Sequence, residues 1–300
     1  MSQEDAASPG SKPTRASWCS PLPGEASTSS PELARIDPGT ARLSVVHNQG
    51  LSRCVGSASA APVRLLVPVA EGTAVWAYLT GFGGGVVAGD RYDISVEVGA
   101  AARVHVGTSG ATRAYRSTGA WAHLTNRVSV GAGGLAVWGC DPLAAFRGAR
   151  VMQQSRADLA PDASLVWIDG LTAGRHTNGE SWAGTVRSRL SIDRAGVPWL
   201  RDGVRLEPSV AAGLAPYTAI SLVALVGPLL ADHATRLVTD LAARPVQPGA
   251  PLLITASPRP DGAVLRLAAV AQELIDRELR RLLGPCIHPL LGDDPWARRP

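Results

Sequence analysis

Arg91 to Val98, RYDISVEV, decides the class of fold. Tyr92, Ile94, Val96 and Val98 fall on one side of a two-residue period, and Arg91, Asp93, Ser95 and Glu97 on the other. That is the signature of a strand with one face in a core and one in water. Just upstream, Gly81 to Asp90 reads GFGGGVVAGD, where Gly81, Gly83, Gly84, Gly85 and Gly89 sit among apolar neighbours. Glycine at this density serves a backbone that needs positive φ or passes close to another surface. Downstream, Gly99 to Ala101 form a turn, and Arg103 to Val106 is expected to return as an antiparallel partner.

Outward from this unit the same alternation recurs. Ala122, Leu124, Val128 and Val130 oppose His123, Thr125, Arg127 and Ser129, and Glu180 to Asp193 repeats the pattern before an Arg194-Ala195-Gly196 turn and a partner strand, Trp199 to Leu206. Further strands are read at Arg42 to His47, Val63 to Val69, Ala74 to Leu79, Leu135 to Trp138, Ser164 to Ile168, Ala219 to Val226, Leu252 to Thr255 and Ala263 to Leu267. Two helices follow near the C-terminus. The first opens at Gly227-Pro228 and aligns Leu230, Ala234, Leu237, Val238 and Leu241 on one stripe. The second, about Ala268 to Leu283, buries Ala271, Leu274, Ile275, Leu279 and Leu282, carries Glu273/Arg277 and Asp276/Arg280 pairs, and is expected to stop at Gly284-Pro285. The remainder, CIHPLLGDDPWARRP, is then an extended tail. At the other end, Met1 to Pro38 is rich in Ser, Pro, Ala and Gly without apolar periodicity, so residues 1–38 read as a disordered tail and 39–300 as one β-rich domain.

Composition narrows the function classes. The 300 residues are 45% hydrophobic and 18% charged, with 32 Gly and 23 Pro, a turn-rich balance that suits many short strands. The formal net charge of +4 comes almost entirely from arginine, Lys12 being the sole lysine. These arginines are spread along the chain with no basic block, which argues against nucleic acid as a partner. Cys19, Cys54, Cys140 and Cys286 form no CxxC pair, which argues against a disulfide framework or structural zinc and suits a reducing, cytoplasmic setting. The N-terminus lacks a signal-peptide pattern, and the longest apolar run, Ala219 to Ala231, is too short to cross a bilayer, so no membrane association is expected.

The motifs with catalytic precedent fail on context. Gly83 to Ala88 fits the spacing of a dinucleotide-binding turn, but the period-two strand from Arg91 stands where the helix should begin. No P-loop occurs, and Gly107-Thr108-Ser109-Gly110-Ala111 lacks the closing glycine of a hydrolase elbow. The six histidines form no metal-ligand pairing. Gly174 to Glu180, GRHTNGE, bunches a cation, an imidazole and a carboxylate in one loop. It reads either as an Arg175/Glu180 pair pinning that loop or as a transient metal or partner contact through Glu180. Asp90, closing the glycine loop, admits the same two readings.

Taken together, several motifs resemble one family. GGGVVAGDRYDISVEVGAAARVHVGTSGATRAYRS is similar to the central signature of the urease accessory protein family UreD, also called UreH. Gly84, Gly85, Val87, Gly89, Asp90, Gly99, Ala100, Thr108, Thr112, Tyr115, Arg116 and Ser117 stand in matching places, and Gly174-Arg175 with Gly179-Glu180 is similar to the family's second motif. The resemblance implies a mainly β, wound, β-helix-like stack of strands with two α-helices, and no catalytic activity or tightly bound cofactor. It implies a nickel-insertion scaffold that binds apo-urease and UreF-like and UreG-like accessory proteins, with Ni(II) in transit. On this reading Asp90 and Glu180 are the candidate nickel-path carboxylates, with Asp141 and Arg175 as neighbours. Carboxylates bind Ni(II) loosely enough to release it, which a closed Cys/His cage would not. The competing class is a β-rich enzyme or anion-binding protein using the Gly81 to Asp90 loop. The chain departs from the family pattern at Gly139-Cys140-Asp141-Pro142, where an LPQE-like stretch is typical, and at its C-terminal tail.

Overall fold

A computed structural model describes residues 36–69, 72–174 and 181–296. In chain order the strands are β1 (Thr40–Asn48), β2 (Leu51–Ser59), β3 (Val63–Leu66), β4 (Val75–Gly81), β5 (Arg91–Val98), β6 (Arg103–Thr108), β7 (Thr112–Ala114), β8 (Ala122–Val130), β9 (Leu135–Trp138), β10 (Leu143–Ala145), β11 (Arg150–Leu159), β12 (Ser164–Thr172), β13 (Thr185–Arg194) and β14 (Val197–Leu206). A one-turn helix α1 (Pro208–Ala211), β15 (Ala219–Val226), α2 (Ala231–Ala242), β16 (Leu252–Arg259), β17 (Gly262–Ala269) and α3 (Gln272–Leu291) complete the chain.

From β4 to β13 the backbone winds as a β-helix-like coil. Odd and even passes fall in different sheets: β5, β8, β11 and β13 stack in a 7-stranded sheet ordered β14-β13-β11-β8-β5-β1-β2. β4, β6, β9 and β12 stack in a 10-stranded sheet that also holds β3, β15, β16 and β17 and, as a branch from β12, β10 and β7. Within each stack neighbours run parallel, for example Val96 beside Val128 and Val106 beside Trp138. A third, short stack forms where Val86 bridges Ala114, β7 pairs β10, and β10 pairs the end of β12.

This corrects the expectation that Arg103 to Val106 returns antiparallel to Arg91 to Val98. β5 and β6 are not paired; the Gly99 to Ala102 corner carries the chain from one sheet to the other. Burial gives the reason. β5 alternates because its outer face meets water, whereas Val104, His105, Val106 and Gly107 of β6 are all buried, since the helices cover the outer face of the larger sheet. The Arg194 to Gly196 turn does make a hairpin, with Ala195 and Gly196 both at positive φ (52° and 74°).

Two apolar layers result. Leu43, Val96, Val128 and Ile192 face Val104, Trp138, Trp167 and Leu222 between the sheets. Trp76, Val166, Val223 and Leu265 on the far face of the larger sheet meet Leu237 and Leu241 of α2 and Ile275, Leu279, Ile287 and Leu291 of α3.

The second helix does not stop at Gly284-Pro285. It continues through Pro285 and Pro289 to Leu291, and Gly292 caps it at φ 78° by donating its N–H to His288 O. Leu283, Ile287 and Leu291 recur every four residues and are fully buried, so packing outweighs the proline penalty. Of the carbonyls near the proline, Leu282 O accepts a 2.8 Å hydrogen bond from His233 Nε2. Burial holds the His233 imidazole below its usual pKa, consistent with a neutral ring donating through Nε2. Arg280 reaches Asp294 beyond the helix end at 3.0 Å.

Candidate functional site

The glycine loop is the first corner of the coil. Gly83, Gly84 and Gly89 take positive φ (80°, 76° and 87°), and a Cβ on Gly85 would lie 2.2 Å from Arg113 O on the next coil. Gly85→Ala is therefore expected to cost about 1–3 kcal/mol, as overpacking against fixed backbone does. Chemical denaturation checks this, and an unchanged midpoint would show that the corner can yield.

Several of the loop's amides are already used. Val86 N–H donates to Arg113 O (2.7 Å), Val87 N–H to Asp90 Oδ2 (2.9 Å) and Asp90 N–H to Val87 O (3.1 Å). An anion held by the Val86, Val87 and Asp90 amides would have to displace these bonds. Asp90 thus closes a tight turn with its own carboxylate, and it lies outside the cavity wall described next.

A cavity of about 290 Å³ sits inside the coil behind this corner. Its walls are Gly84 and Gly85 of the loop, Tyr92 of β5, Asn126 of β8 and Gln153 of β11, with Thr108, Asp141 and Asp169 opposite. It separates the inter-sheet core from a smaller apolar cluster around Val86, Ala114, Leu143 and Trp182.

Two carboxylates face it. Asp141 Oδ2 accepts the Thr108 hydroxyl at 2.7 Å, and Asp141 N–H donates to Thr108 Oγ1 at 2.8 Å. Asp169, in β12, accepts Gln153 Nε2 at 2.9 Å and Ser188 Oγ at 3.2 Å, linking the larger sheet to β11 and β13 of the smaller one. Burial drives the Asp169 carboxyl above its ordinary pKa; the Gln153 and Ser188 hydrogen bonds oppose this, and the charge of Asp202 adds to the rise. Tyr92 projects a buried hydroxyl with no hydrogen-bond partner, and its pKa is raised first by burial and then by the nearby Asp90 charge. Asp90 therefore touches the cavity only through its field on Tyr92.

Of the four residues singled out in the sequence, Asp141 lines the cavity, Asp90 does not, and Arg175 and Glu180 lie outside the described residues. Among the described residues no group of three or more His, Cys, Asp or Glu side chains could cage a metal ion. The donors on hand are carboxylate, hydroxyl and amide oxygens, a set that holds a divalent ion weakly and with much of its water retained. Asp169 was missed in the sequence. Its signal is a lone carboxylate continuing the apolar run Leu165-Val166-Trp167-Ile168, a position where an acid is seldom buried without a partner.

A family model described as UreD urease accessory protein matches residues 37–299. The chain belongs to that family. A urease accessory protein UreD of Anaeromyxobacter sp. (strain Fw109-5) is 36% identical, covering 90% of this chain and 92% of its own length. One from Sorangium cellulosum (strain So ce56) is 34% identical over 96% of both chains. A urease accessory protein D of Arabidopsis thaliana is 27% identical over 86% of this chain and 99% of its own. The mainly β coil with its two long helices agrees with what the family resemblance implied. No helix among the described residues is long and apolar enough to cross a membrane.

Proposed function

We propose that this protein acts in urease maturation as a non-catalytic scaffold, binding apo-urease together with UreF-like and UreG-like accessory proteins while Ni(II) passes to the urease active site. Family membership across nearly the whole chain carries this reading. The half-open cavity behind the glycine corner supports the nickel part of it. Asp141 and Asp169 present oxygen donors from the larger-sheet wall of a space large enough for an ion with several waters. Asp169 with a raised pKa gains affinity for a passing cation only as it loses its proton, which keeps the contact reversible. Glu180 and Asp90 remain part of the proposal, the latter as the residue that holds the corner over the cavity.

The test is genetic and analytical together. Urease subunits from the same source, produced with and without this chain, are purified and assayed for nickel and for urea hydrolysis. The expected result is that enzyme made without it is present in normal amount but lacks nickel and activity. Full activity in its absence would remove the proposal.

A further inference from the structure

We infer that the outer face of the seven-stranded sheet is a docking surface for a carboxylate-rich segment of a protein partner. The two outer sheet faces are treated differently by the fold. That of the larger sheet is sealed by α2 and α3, whereas on β8, β11, β13 and β14 the outward positions meet solvent.

Parallel, in-register winding turns single residues into rows. Arg127 of β8 is the register partner of Arg156 of β11, which is aligned with Ser191 of β13, and Ser191 with Arg201 of β14. Across four strands the row spans about 14 Å. Arg189 sits two residues along β13, and the four arginines line one shallow groove of about 590 Å³. Three of them are held in place by carboxylates: Arg127 by Asp93, Arg156 by Asp158 and Asp193, and Arg201 by Asp193. Arg189 is exposed and has no ion-pair partner among the described residues. Toward the near end of the same strands, Arg187 and Arg205 pair as cross-strand neighbours against a single carboxylate, Glu207, so positive charge remains in excess.

The groove fits carboxylates better than phosphates. Guanidiniums already fixed by hydrogen bonds offer their remaining N–H donors at set positions, which suits bidentate recognition of separate carboxylates. The flexible side chains of an acidic peptide can place their carboxylates between Asp93, Asp158 and Asp193, whereas a nucleic acid carries its charge fixed on the backbone itself. Trp121, a large aromatic on this face, has the guanidiniums of Arg150 and Arg187 over its ring at 4.7 and 4.8 Å, so its ring is engaged within the protein instead of being offered to a base.

The experiment uses the full chain and a fluorescein-labelled deca-glutamate peptide followed by anisotropy. Binding is expected at low salt and is lost as ionic strength rises to roughly 0.5 M, where screening is short-ranged. Arg189→Glu is expected to weaken it at least about fivefold. Arg236→Glu, an equal charge change at an exposed position on α2, is expected to leave it within about twofold, since α2 packs on the far face of the larger sheet, with both sheets between it and the groove. A labelled ten-nucleotide single-stranded DNA should bind more weakly than the peptide. The inference is overturned by no peptide binding at low salt, by equal losses in the two variants, or by DNA binding as tightly as the peptide.

Discussion

Trp167→Ala is expected to remove about 3–5 kcal/mol of folding stability, the usual cost of emptying a large buried aromatic site. Trp167 is 1% exposed and lies parallel to Trp138, with centroids 4.8 Å apart and planes 4° apart. The pair occupies neighbouring strands, so its loss opens a void spanning two coils. In a domain of this size the melting temperature should fall by about 10 °C. Trp167→Phe sharpens the test. The indole N–H of Trp167 is buried without a hydrogen-bond partner, so phenylalanine keeps much of the stack and deletes an orphaned donor. Its expected cost is under about 1.5 kcal/mol. Equal losses for the two variants would mean that a phenyl ring recovers none of the stability and that the intact indole is what the site requires.

Replacing Asp141 and Asp169 together with asparagine should lower the nickel content of co-produced urease by about tenfold, as loss of charged oxygen donors does at a metal contact. Complex formation with apo-urease should survive, because both side chains face the cavity and not the outer surface. Unchanged nickel loading would place the path elsewhere. Asp169→Asn alone makes a separate, signed prediction for stability. The folded pKa is raised, so between the raised value and the unfolded value near 4 the native state holds the extra proton. Wild-type stability should therefore gain from Asp169 as pH falls through that window, and the variant should lack this gain. Glu278, whose pKa is lowered chiefly by the Arg281 hydrogen bond, acts in the opposite direction in both proteins. The comparison of denaturation midpoints between the two across pH 4 to 8 isolates the Asp169 contribution.

How far the sequence reveals this molecule depends on which faces of each strand are wet. β5, β8, β11 and β13 border solvent on one side, so their alternation is visible in the residues; β11 was nonetheless overlooked, its VMQQSRADL run lacking aromatics and strand-typical bulk. β6, β9 and β12 are covered on both sides, lose the alternation, and with it any hint of which sheet they join. Local turn chemistry can announce a hairpin, as at Ala195-Gly196, but a corner such as Gly99 to Ala102 uses the same residue types to pass between sheets. Pro285 misleads for a related reason: its effect on the helix is local, while the stripe that carries the helix onward is a property of the sheet beneath it. The cavity is less legible still. Its lining gathers Tyr92, Asn126, Asp141, Gln153 and Asp169 from four turns of the coil, and only winding brings them together.

Stacked parallel strands present a hazard that follows from the coil itself. Any terminal strand is a template on which another molecule could add, and the products would be end-to-end fibres. Each open edge here is interrupted. β2 turns back on β1 across a bulge at Ser44/Val45, and β14 turns back on β13 across another at Ile192/Asp193. β3 is four residues long between Pro62 and Pro68, and β16 carries Pro258. Edges interrupted in this way give a second molecule no long unbroken strand on which to add.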